Sequence, residues 1–186
     1  VSSLSSEGVL TPITTVDVGP NPGRTHVFEA DGVQYLAVGM GTLSGIKLFN
    51  LSGSAPYLTL VGSVSPIRLN SPTGIESVSV DGGTFLYVSG DFTDFVETFS
   101  DAVYVLEVSD TGGLTEVQTV LDTRARELEG AVGVKSFVLG DTTYLMVTGF
   151  LDGGVSVFSV DQTTGELSDV AAFDGRELGV LRGPFR

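Results

Sequence analysis

"GGVSVFSVDQTTGELSDV", from Gly153 to Val170, consists of an alternating apolar run, a polar turn that contains a glycine, and a second alternating run. Alternation of apolar and polar residues with a period of two is typical of a β-strand that buries one face. A short polar turn between two such runs is typical of a hairpin. The chain opens at Val1 with "VSSLSSEGVLTPITTV", which has the same order of features as the back end of this unit. These two stretches predict a repeated β unit.

The repeat is clearest in a short core of the form aromatic-Leu-x-Val. Three segments of the chain align on this core, and each copy of it ends in a glycine. The segments are His26–Val64, Ser77–Val120 and Ser136–Phe173, and their cores are "YLAVG", "FLYVSG" and "YLMVTG", which end at Gly39, Gly90 and Gly149. These glycines lie 51 and 59 residues apart, a spacing within the range of one β-propeller blade.

Each segment contains four short runs rich in β-forming residues. The first run ends in a turn signal, which is Asp31-Gly32 in the first segment and Gly140-Asp141 in the third. The second run is the core itself, apolar nearly throughout, as expected for a strand buried on both faces. The third and fourth runs are joined by a polar turn with a glycine. The sequence therefore predicts an all-β fold, a β-propeller of four-stranded antiparallel blades. A β-sandwich is the competing architecture, but it would not repeat one core at the same place in every unit.

The blade boundaries follow from the alignment. We predict a single propeller segment with a partial blade at 1–22, whole blades at 23–70, 71–125 and 126–174, and the start of another blade at 175–186. Three whole blades do not close a ring, since propellers use about four to eight. Two interpretations remain open: the residues are a segment of a longer chain, or several copies complete each other's rings. The expected partner is accordingly the remainder of a longer chain or further copies of the same chain.

Composition restricts the classes of partner. The chain carries 23 acidic and nine Lys or Arg residues, for a net charge of −14. This charge disfavours nucleic acid, whose phosphates require a basic surface, and anionic membrane surfaces. The sequence has no cysteine and no apolar run of about 18 residues, so we expect neither a thiolate metal site nor membrane insertion. A protein or carbohydrate ligand is compatible with this surface.

Two groups of residues are the candidate ligand sites. Carboxylates in the loops between second and third strands predict calcium binding, because calcium takes several oxygen ligands from flexible loops; they are Asp91, Asp94 and Asp152. The loop from Asp91 to Asp101 is an insertion relative to the other two segments. Its aromatic residues and the arginines on the connections between blades predict a binding surface; they are Phe92, Phe95, Phe99, Arg126 and Arg176. Solvated turn carboxylates and salt bridges between blades are the alternative interpretations. No cofactor other than calcium is indicated.

No catalytic residue is predicted from the sequence. His26 is the only histidine, and a catalytic triad needs a histidine within reach of a nucleophile and a carboxylate. No G-x-S-x-G motif, glycine-rich phosphate loop or H-E-x-x-H motif is present. We therefore interpret His26 as a surface or edge-strand residue, and the residues favour a protein without catalytic activity.

The third unit, "TTYLMVTGFLDGGVSVFSVDQTTGELSDVAAF", resembles blade repeats of large secreted bacterial proteins, often marine, that also carry calcium-binding repeats. More distantly it resembles lactonase-like seven-bladed propellers, in which "GxLxxV" follows a "VxVF" strand. The resemblance rests on residues of structural type: Tyr144, Leu145, Val147, Gly149, Val155, Val157, Phe158, Gly165 and Leu167. No histidine or arginine–glutamate constellation of the lactonases is matched, so their catalytic residues are not carried over.

The resemblance and the acidic composition together imply an extracellular protein, secreted or on the surface of a bacterial cell. We expect a non-catalytic scaffold or binding module that is part of a larger protein. The alternatives are a lactonase-like hydrolase with its site in the central channel, and a structural subunit that completes its propeller by oligomerisation. Fold does not determine function, so the residues of the site must decide between them.

Overall fold

A computed structural model describes residues 2–4, 6, 10–12, 15–41, 45–65, 69, 71–90 and 101–175. All secondary-structure elements in these ranges are β-strands. No helix in the described part of the chain is long and apolar enough to span a membrane. A short pair of strands, β1 (Ser2–Leu4) and β2 (Leu10–Pro12), precedes the main body.

The main body is built from three four-stranded sheets, and the strands of each are consecutive in the chain. The first contains β3 (Pro22–Ala30), β4 (Val33–Met40), β5 (Ile46–Leu51) and β6 (Leu58–Val64). The second contains β7 (Pro72–Val80), β8 (Gly83–Gly90), β9 (Ala102–Val108) and β10 (Leu114–Leu121). The third contains β11 (Ala131–Leu139), β12 (Thr142–Gly149), β13 (Gly154–Val160) and β14 (Leu167–Phe173).

Every neighbouring pair of strands within a sheet is antiparallel. The first strands of the three sheets, β3, β7 and β11, pack against one another, whereas the last strands lie further apart. This is the arrangement of propeller blades around an axis, with the first strand of each blade innermost. The prediction of an all-β propeller with four-stranded antiparallel blades is confirmed. We call the three sheets the first, second and third blades.

The core lies between blades. One cluster of buried residues joins the first blade to the second, through side chains such as Ile46 and Leu48 on one side and Leu86 and Val88 on the other. A second cluster joins the second blade to the third, through Phe85, Tyr87, Leu145 and Val147 among others. Successive residues of β8 therefore face opposite neighbours, so the strand is buried on both faces, as the sequence predicts.

The turn chemistry agrees with the sequence in the hairpins between first and second strands. Asp31 and Gly32 both adopt positive φ, 51° and 75°, and Gly140 has φ 62°. These are the left-handed conformations that two-residue hairpin turns require. The third blade departs from the expectation of a doubly buried second strand, since β12 buries Leu145 and Val147 but leaves Met146 exposed. The reason is that Leu145 and Val147 face the second blade, whereas Met146 is on the opposite face of the sheet, where the described residues place no further blade.

Candidate functional site

One register position of the innermost strands carries an ionisable residue in every blade. His26 on β3 pairs with Ala37, Glu76 on β7 with Tyr87, and Lys135 on β11 with Met146. Each of these partners is the residue that directly follows the leucine of the aromatic-Leu-x-Val core. His26, Glu76 and Lys135 are therefore structurally equivalent. The next position along carries Val27, Ser77 and Ser136 in the same order. Three consecutive blades thus bring a base, an acid and an ammonium group to one level of the propeller axis.

His26 contacts the second blade. Its Nε2 lies 2.9 Å from the Ser77 Oγ, and its ring stacks on that of Phe28 with centroids 6.0 Å apart. Burial lowers the pKa of His26 below its ordinary value of 6.5. The Glu76 carboxylate opposes this shift and the Lys135 ammonium adds to it. At neutral pH the imidazole is therefore uncharged, with a nitrogen able to accept a proton.

Glu76 is buried and contacts the third blade. Its residue is 7% exposed, and its Oε2 accepts a hydrogen bond of 2.7 Å from the Lys135 Nζ. Its Oε1 accepts from the Ser136 Oγ at 2.8 Å and from the Ser136 backbone N–H at 3.2 Å. Burial raises the pKa of Glu76, but the hydrogen bonds from Lys135 and Ser136 outweigh it and hold the pKa below its ordinary value. The carboxylate is therefore ionised and fully used in hydrogen bonding.

We refer to His26, Ser77, Glu76, Lys135 and Ser136 as the inner-strand cluster. Its members differ in exposure, because Glu76 is buried and held by three hydrogen bonds whereas the Lys135 side chain is 71% exposed. Nearer the start of β3, the exposed Arg24 donates from Nε to the Thr73 carbonyl at 3.0 Å. The cluster combines a neutral base, a fixed negative charge and a cation that solvent reaches. Such groups in one place are typical of a site for proton transfer and for binding an oxyanion.

Of the predicted calcium ligands, the structure describes Asp152, while Asp91 and Asp94 lie outside the described residues. The Asp152 Oδ2 accepts a hydrogen bond of 2.8 Å from the Glu129 N–H. Within the described residues, no group of three or more His, Cys, Asp or Glu side chains is arranged to hold a metal ion. Calcium binding at these loops stays a prediction.

Asp152 belongs to an acidic patch where the second blade leads into the third. Burial raises the pKa of Asp122, and nearby Asp152 and Asp101 raise it further, while hydrogen bonds from Leu128 and Thr123 oppose the shift. The pKa of Glu129 is raised as well, by desolvation first and then by Asp152. Asp101 also accepts from the Gly130 N–H, with Oδ2 and N 2.6 Å apart. These carboxylates therefore anchor the connection between the two blades by accepting hydrogen bonds from its backbone, and their mutual repulsion opposes that stabilisation.

Of the predicted binding residues, the structure describes Arg126. Phe92, Phe95, Phe99 and Arg176 lie outside the described residues. Arg126 forms a two-pronged ion pair with Asp169 of β14, with Nε–Oδ1 2.7 Å and Nη2–Oδ2 2.8 Å. Its Nη1 donates to the Leu121 carbonyl at the end of β10, at 2.8 Å. Arg126 thus ties the outer strands of two blades together, and its role in ligand binding stays a prediction.

The sequence prediction interprets His26 as a surface or edge-strand residue and assigns none of Glu76, Ser77, Lys135 and Ser136 to a site. A signal for them is present. His26, Glu76 and Lys135 each stand ten residues before the leucine of the aromatic-Leu-x-Val core, namely Leu36, Leu86 and Leu145. A constant offset in each repeat places residues at equivalent positions, and in a propeller equivalent positions on inner strands lie next to one another.

Solved structures share this fold. Two candidate 6-phosphogluconolactonases, from Bacteroides fragilis and Bacteroides uniformis, match with TM-scores of 0.56 and 0.61 at 19% and 20% identity, over 92% and 93% of this chain. The periplasmic gluconolactonase of Pseudomonas aeruginosa matches with a TM-score of 0.54 at 15% identity, over 93% of this chain and 63% of its own. This chain spans about half of the two Bacteroides proteins, 43% and 50% of their lengths.

No protein-family model matches the chain, and no curated protein matches it. The structural likenesses establish a lactonase-like propeller fold. They also correct one expectation from the sequence. The expectation of a non-catalytic scaffold is contradicted by this comparison, because three of the solved structures that share the fold are described as lactonases or candidate lactonases, which favours the lactonase-like alternative. The resemblance to secreted proteins with calcium-binding repeats finds no counterpart among these structures.

Proposed function

We propose that this chain is part of a propeller that hydrolyses a sugar lactone, with the inner-strand cluster in its catalytic centre. The observation that carries the proposal is the placement of His26, Glu76 and Lys135 at one level of three adjacent inner strands. Grouped ionisable residues that include some with shifted pKa values, here His26 and Glu76, are a mark of functional sites. The lactonases among the structural neighbours supply the class of substrate.

The chemistry of lactone opening fits these groups. The neutral His26 accepts a proton from water on Nδ1, the ring nitrogen not used in the bond to Ser77, as the water oxygen bonds to the lactone carbonyl carbon. The carbonyl oxygen becomes an oxyanion, which the Lys135 ammonium stabilises. The bond from that carbon to the ring oxygen then breaks, and the proton on His26 passes to the departing oxygen to form a hydroxyl. The products are a hydroxyl group and a carboxylic acid, which releases one proton to solvent at neutral pH.

Glu76 has a positioning role in this scheme. Its two oxygens hold Lys135 and Ser136 at 2.7 Å and 2.8 Å, and this fixes the cation next to the base. Ser77 orients the imidazole through the bond of 2.9 Å to Nε2. A sugar lactone carries several hydroxyl groups, and the exposed Arg24 above the cluster offers donors for them or for an anionic substituent.

The experiment follows proton release in a pH-stat on the protein at its natural length, with gluconolactone and 6-phosphogluconolactone as substrates and the spontaneous rate subtracted. We expect hydrolysis above that rate, and a loss of about 10²–10⁴-fold in kcat/KM for His26→Gln, the range for removal of a general base. Glu29→Gln, an exposed residue of the same strand, is the matched control and should hydrolyse at the unmodified rate. Hydrolysis no faster than the blank, or equal rates for His26→Gln and the unmodified protein, would contradict the proposal.

We also propose an extracellular location, in a secreted or cell-surface protein of a bacterium. The support is the net charge of −14, the absence of cysteine and the resemblance of the third unit to repeats of secreted proteins. Fractionation of the native cells tests it: the protein should appear outside the cytoplasmic fraction. Recovery with cytoplasmic markers would contradict this location.

A further inference from the structure

The contact of 2.9 Å between the His26 Nε2 and the Ser77 Oγ joins a base to an alcohol. A serine hydroxyl within hydrogen-bond reach of a neutral imidazole is the arrangement that activates serine as a nucleophile. A neutral imidazole carries its proton on either ring nitrogen. When the proton is on Nδ1, Nε2 accepts the hydrogen bond from the Ser77 O–H. In that tautomer Ser77 is the group that loses a proton.

The next blade junction has the same serine beside a different acceptor. Ser136 stands at the register position of Ser77, and its Oγ donates to the Glu76 Oε1 at 2.8 Å. Burial raises the pKa of Glu76, but the hydrogen bonds from Lys135 and Ser136 hold it below its ordinary value. A carboxylate of low pKa is a poor proton acceptor at neutral pH. Of these two equivalent serines, Ser77 is therefore the one that faces an effective base.

The surroundings of His26 support its role as that base. Burial lowers the pKa of His26, and the negative charge of Glu76 opposes this shift, so the carboxylate stabilises the imidazolium that forms when the base accepts a proton. The ring stacks on Phe28, which lies two positions further along the same strand. Both His26 and Ser77 are half-buried, and the partial exposure leaves room for a small reactant.

From this geometry we infer that Ser77 is a nucleophile and that the His26–Ser77 pair hydrolyses small open-chain carboxylic esters through an acyl group on Ser77. The half-buried position of the pair favours a short acyl chain. This activity goes beyond the proposed opening of lactones by water, because it forms a covalent intermediate on the chain. It uses the same imidazole in its other tautomer, and it does not depend on a lactone being a substrate.

The reaction takes place in two steps. The Ser77 Oγ bonds to the ester carbonyl carbon as its proton passes to the His26 Nε2. The bond from that carbon to the alcohol oxygen then breaks, and the proton on Nε2 moves to this oxygen, so that the alcohol leaves and the acyl group stays on Ser77. Water then adds to the acyl carbon and gives a proton to Nε2. The bond to the Ser77 Oγ breaks, the serine regains that proton, and the carboxylic acid departs.

A fluorophosphonate ester tests the nucleophile directly on the unmodified protein at its natural length. The serine oxygen displaces fluoride and keeps the phosphonyl group, and peptide mass spectrometry locates it. We expect Ser77 to be labelled at least about tenfold faster than Ser136, which has the weak base, and than Ser79, an exposed serine of the same strand that contacts the Thr84 hydroxyl. No labelling of Ser77, or equal rates at Ser77 and Ser136, would overturn the inference.

Two further measurements assign the reactivity to the His26–Ser77 pair. His26→Gln should slow labelling of Ser77 by at least about 10²-fold, while Ser79→Ala, the matched control, should leave it unchanged. The labelling rate of the unmodified protein should be constant from pH 8 to 6.5 and should fall as His26 gains a proton below that range. Labelling that ignores both the variant and the pH would show that His26 does not activate Ser77.

The ester p-nitrophenyl acetate then tests turnover. We expect a burst of about one nitrophenolate per chain, followed by a slower steady release, with the acetyl group trapped on Ser77 by acid. An acetyl group on His26 instead would overturn the inference, because the imidazole itself would be the nucleophile. Labelling of Ser77 in a protein that opens no lactone supports this inference and contradicts the proposed function. Lactone hydrolysis without labelling of Ser77 has the opposite meaning.

Discussion

The His26 Nε2 and the Ser77 Oγ lie 2.9 Å apart although 51 residues separate them in the chain. The contact crosses from the innermost strand of one blade to that of the next. At the next junction, between the second and third blades, Glu76 makes the corresponding contact with Ser136. The ionisable groups of three blades are therefore electrostatically coupled, and the pKa of His26 responds to both Glu76 and Lys135.

This coupling predicts opposite pKa changes from two charge-removing variants. Glu76→Gln should lower the pKa of His26 further, because it removes the carboxylate that favours the imidazolium. Lys135→Gln should raise it, because it removes a repelling cation. The imidazole proton resonances of His26, followed by NMR as the pH is varied, give both values, with Glu29→Gln as control. Shifts of the same sign in the two variants would show that the three residues do not act on one another directly.

Acid should destabilise the fold through Glu76. The pKa of Glu76 is lowered in the folded state, so its contribution to stability is complete above its ordinary value of 4.5 and is lost as the pH falls through the lower, folded value. Glu76→Gln should therefore reduce the free energy of unfolding by about 1–2 kcal/mol at pH 7, less than for a fully buried pair because Lys135 is exposed. Urea denaturation at pH 7 and at pH 3 measures the difference, which should shrink at pH 3. A difference independent of pH would assign the effect to packing instead of charge.

His26 should contribute a second pH dependence, at higher pH. Its pKa is lowered in the folded state, so the unfolded chain binds its proton first as the pH falls below 6.5, and stability declines from there until the folded value is passed. His26→Gln should remove this part of the decline. The measurement is the free energy of unfolding at pH 7.5 and 5.5 for the two proteins. The same decline in both would show that other groups are responsible.

The position of Gly165 over the Phe85 ring predicts a large difference in the loss of stability between two glycine-to-alanine substitutions at sites of similar φ. Gly165→Ala should cost about 3 kcal/mol or more, because the Cβ overlaps the ring and φ is +69°. Gly140→Ala is the matched control, with φ +62° and nothing within 4 Å of the added Cβ. It should cost only the backbone strain, about 1 kcal/mol. Denaturant unfolding of both variants provides the comparison, and equal costs would show that the contact with Phe85 relaxes freely.

Asp152 offers a test of the calcium prediction. Asp152→Ala removes the hydrogen bond to the Glu129 N–H and should cost about 1 kcal/mol. If the bond is the whole role of Asp152, we expect the same loss in EDTA and in millimolar calcium. Calcium binding requires instead that calcium raise the Tm of the unmodified protein and that the variant lose this rise. Thermal unfolding of both proteins under the two conditions separates the roles.

Sequence alone predicted the parts of this fold that depend on local pattern. Period-two alternation and the Asp-Gly turns locate the strands, and the apolar core around Leu86 predicts a strand buried on both faces, as observed. The inner-strand cluster depends on how one sheet is placed against the next. No local pattern encodes the contact between Glu76 and Ser136, which are 60 residues apart, so only the constant offset from the core leucines indicates it. The exposure of Met146 likewise depends on a neighbouring blade and not on its own strand.

The glycine and the aromatic ring that meet at each blade junction have a consequence for how such a chain grows. The second and third repeats each carry both members, the aromatic residue of the second strand and the glycine of the last turn, as Phe85 and Gly112 do in the second blade, whereas the first repeat has Pro56 in place of the glycine. A tandem duplication of either of these two repeats therefore duplicates both halves of a junction at once. The new copy fits its parent without any further change, so the number of blades can increase in a single genetic step while each interface keeps its geometry.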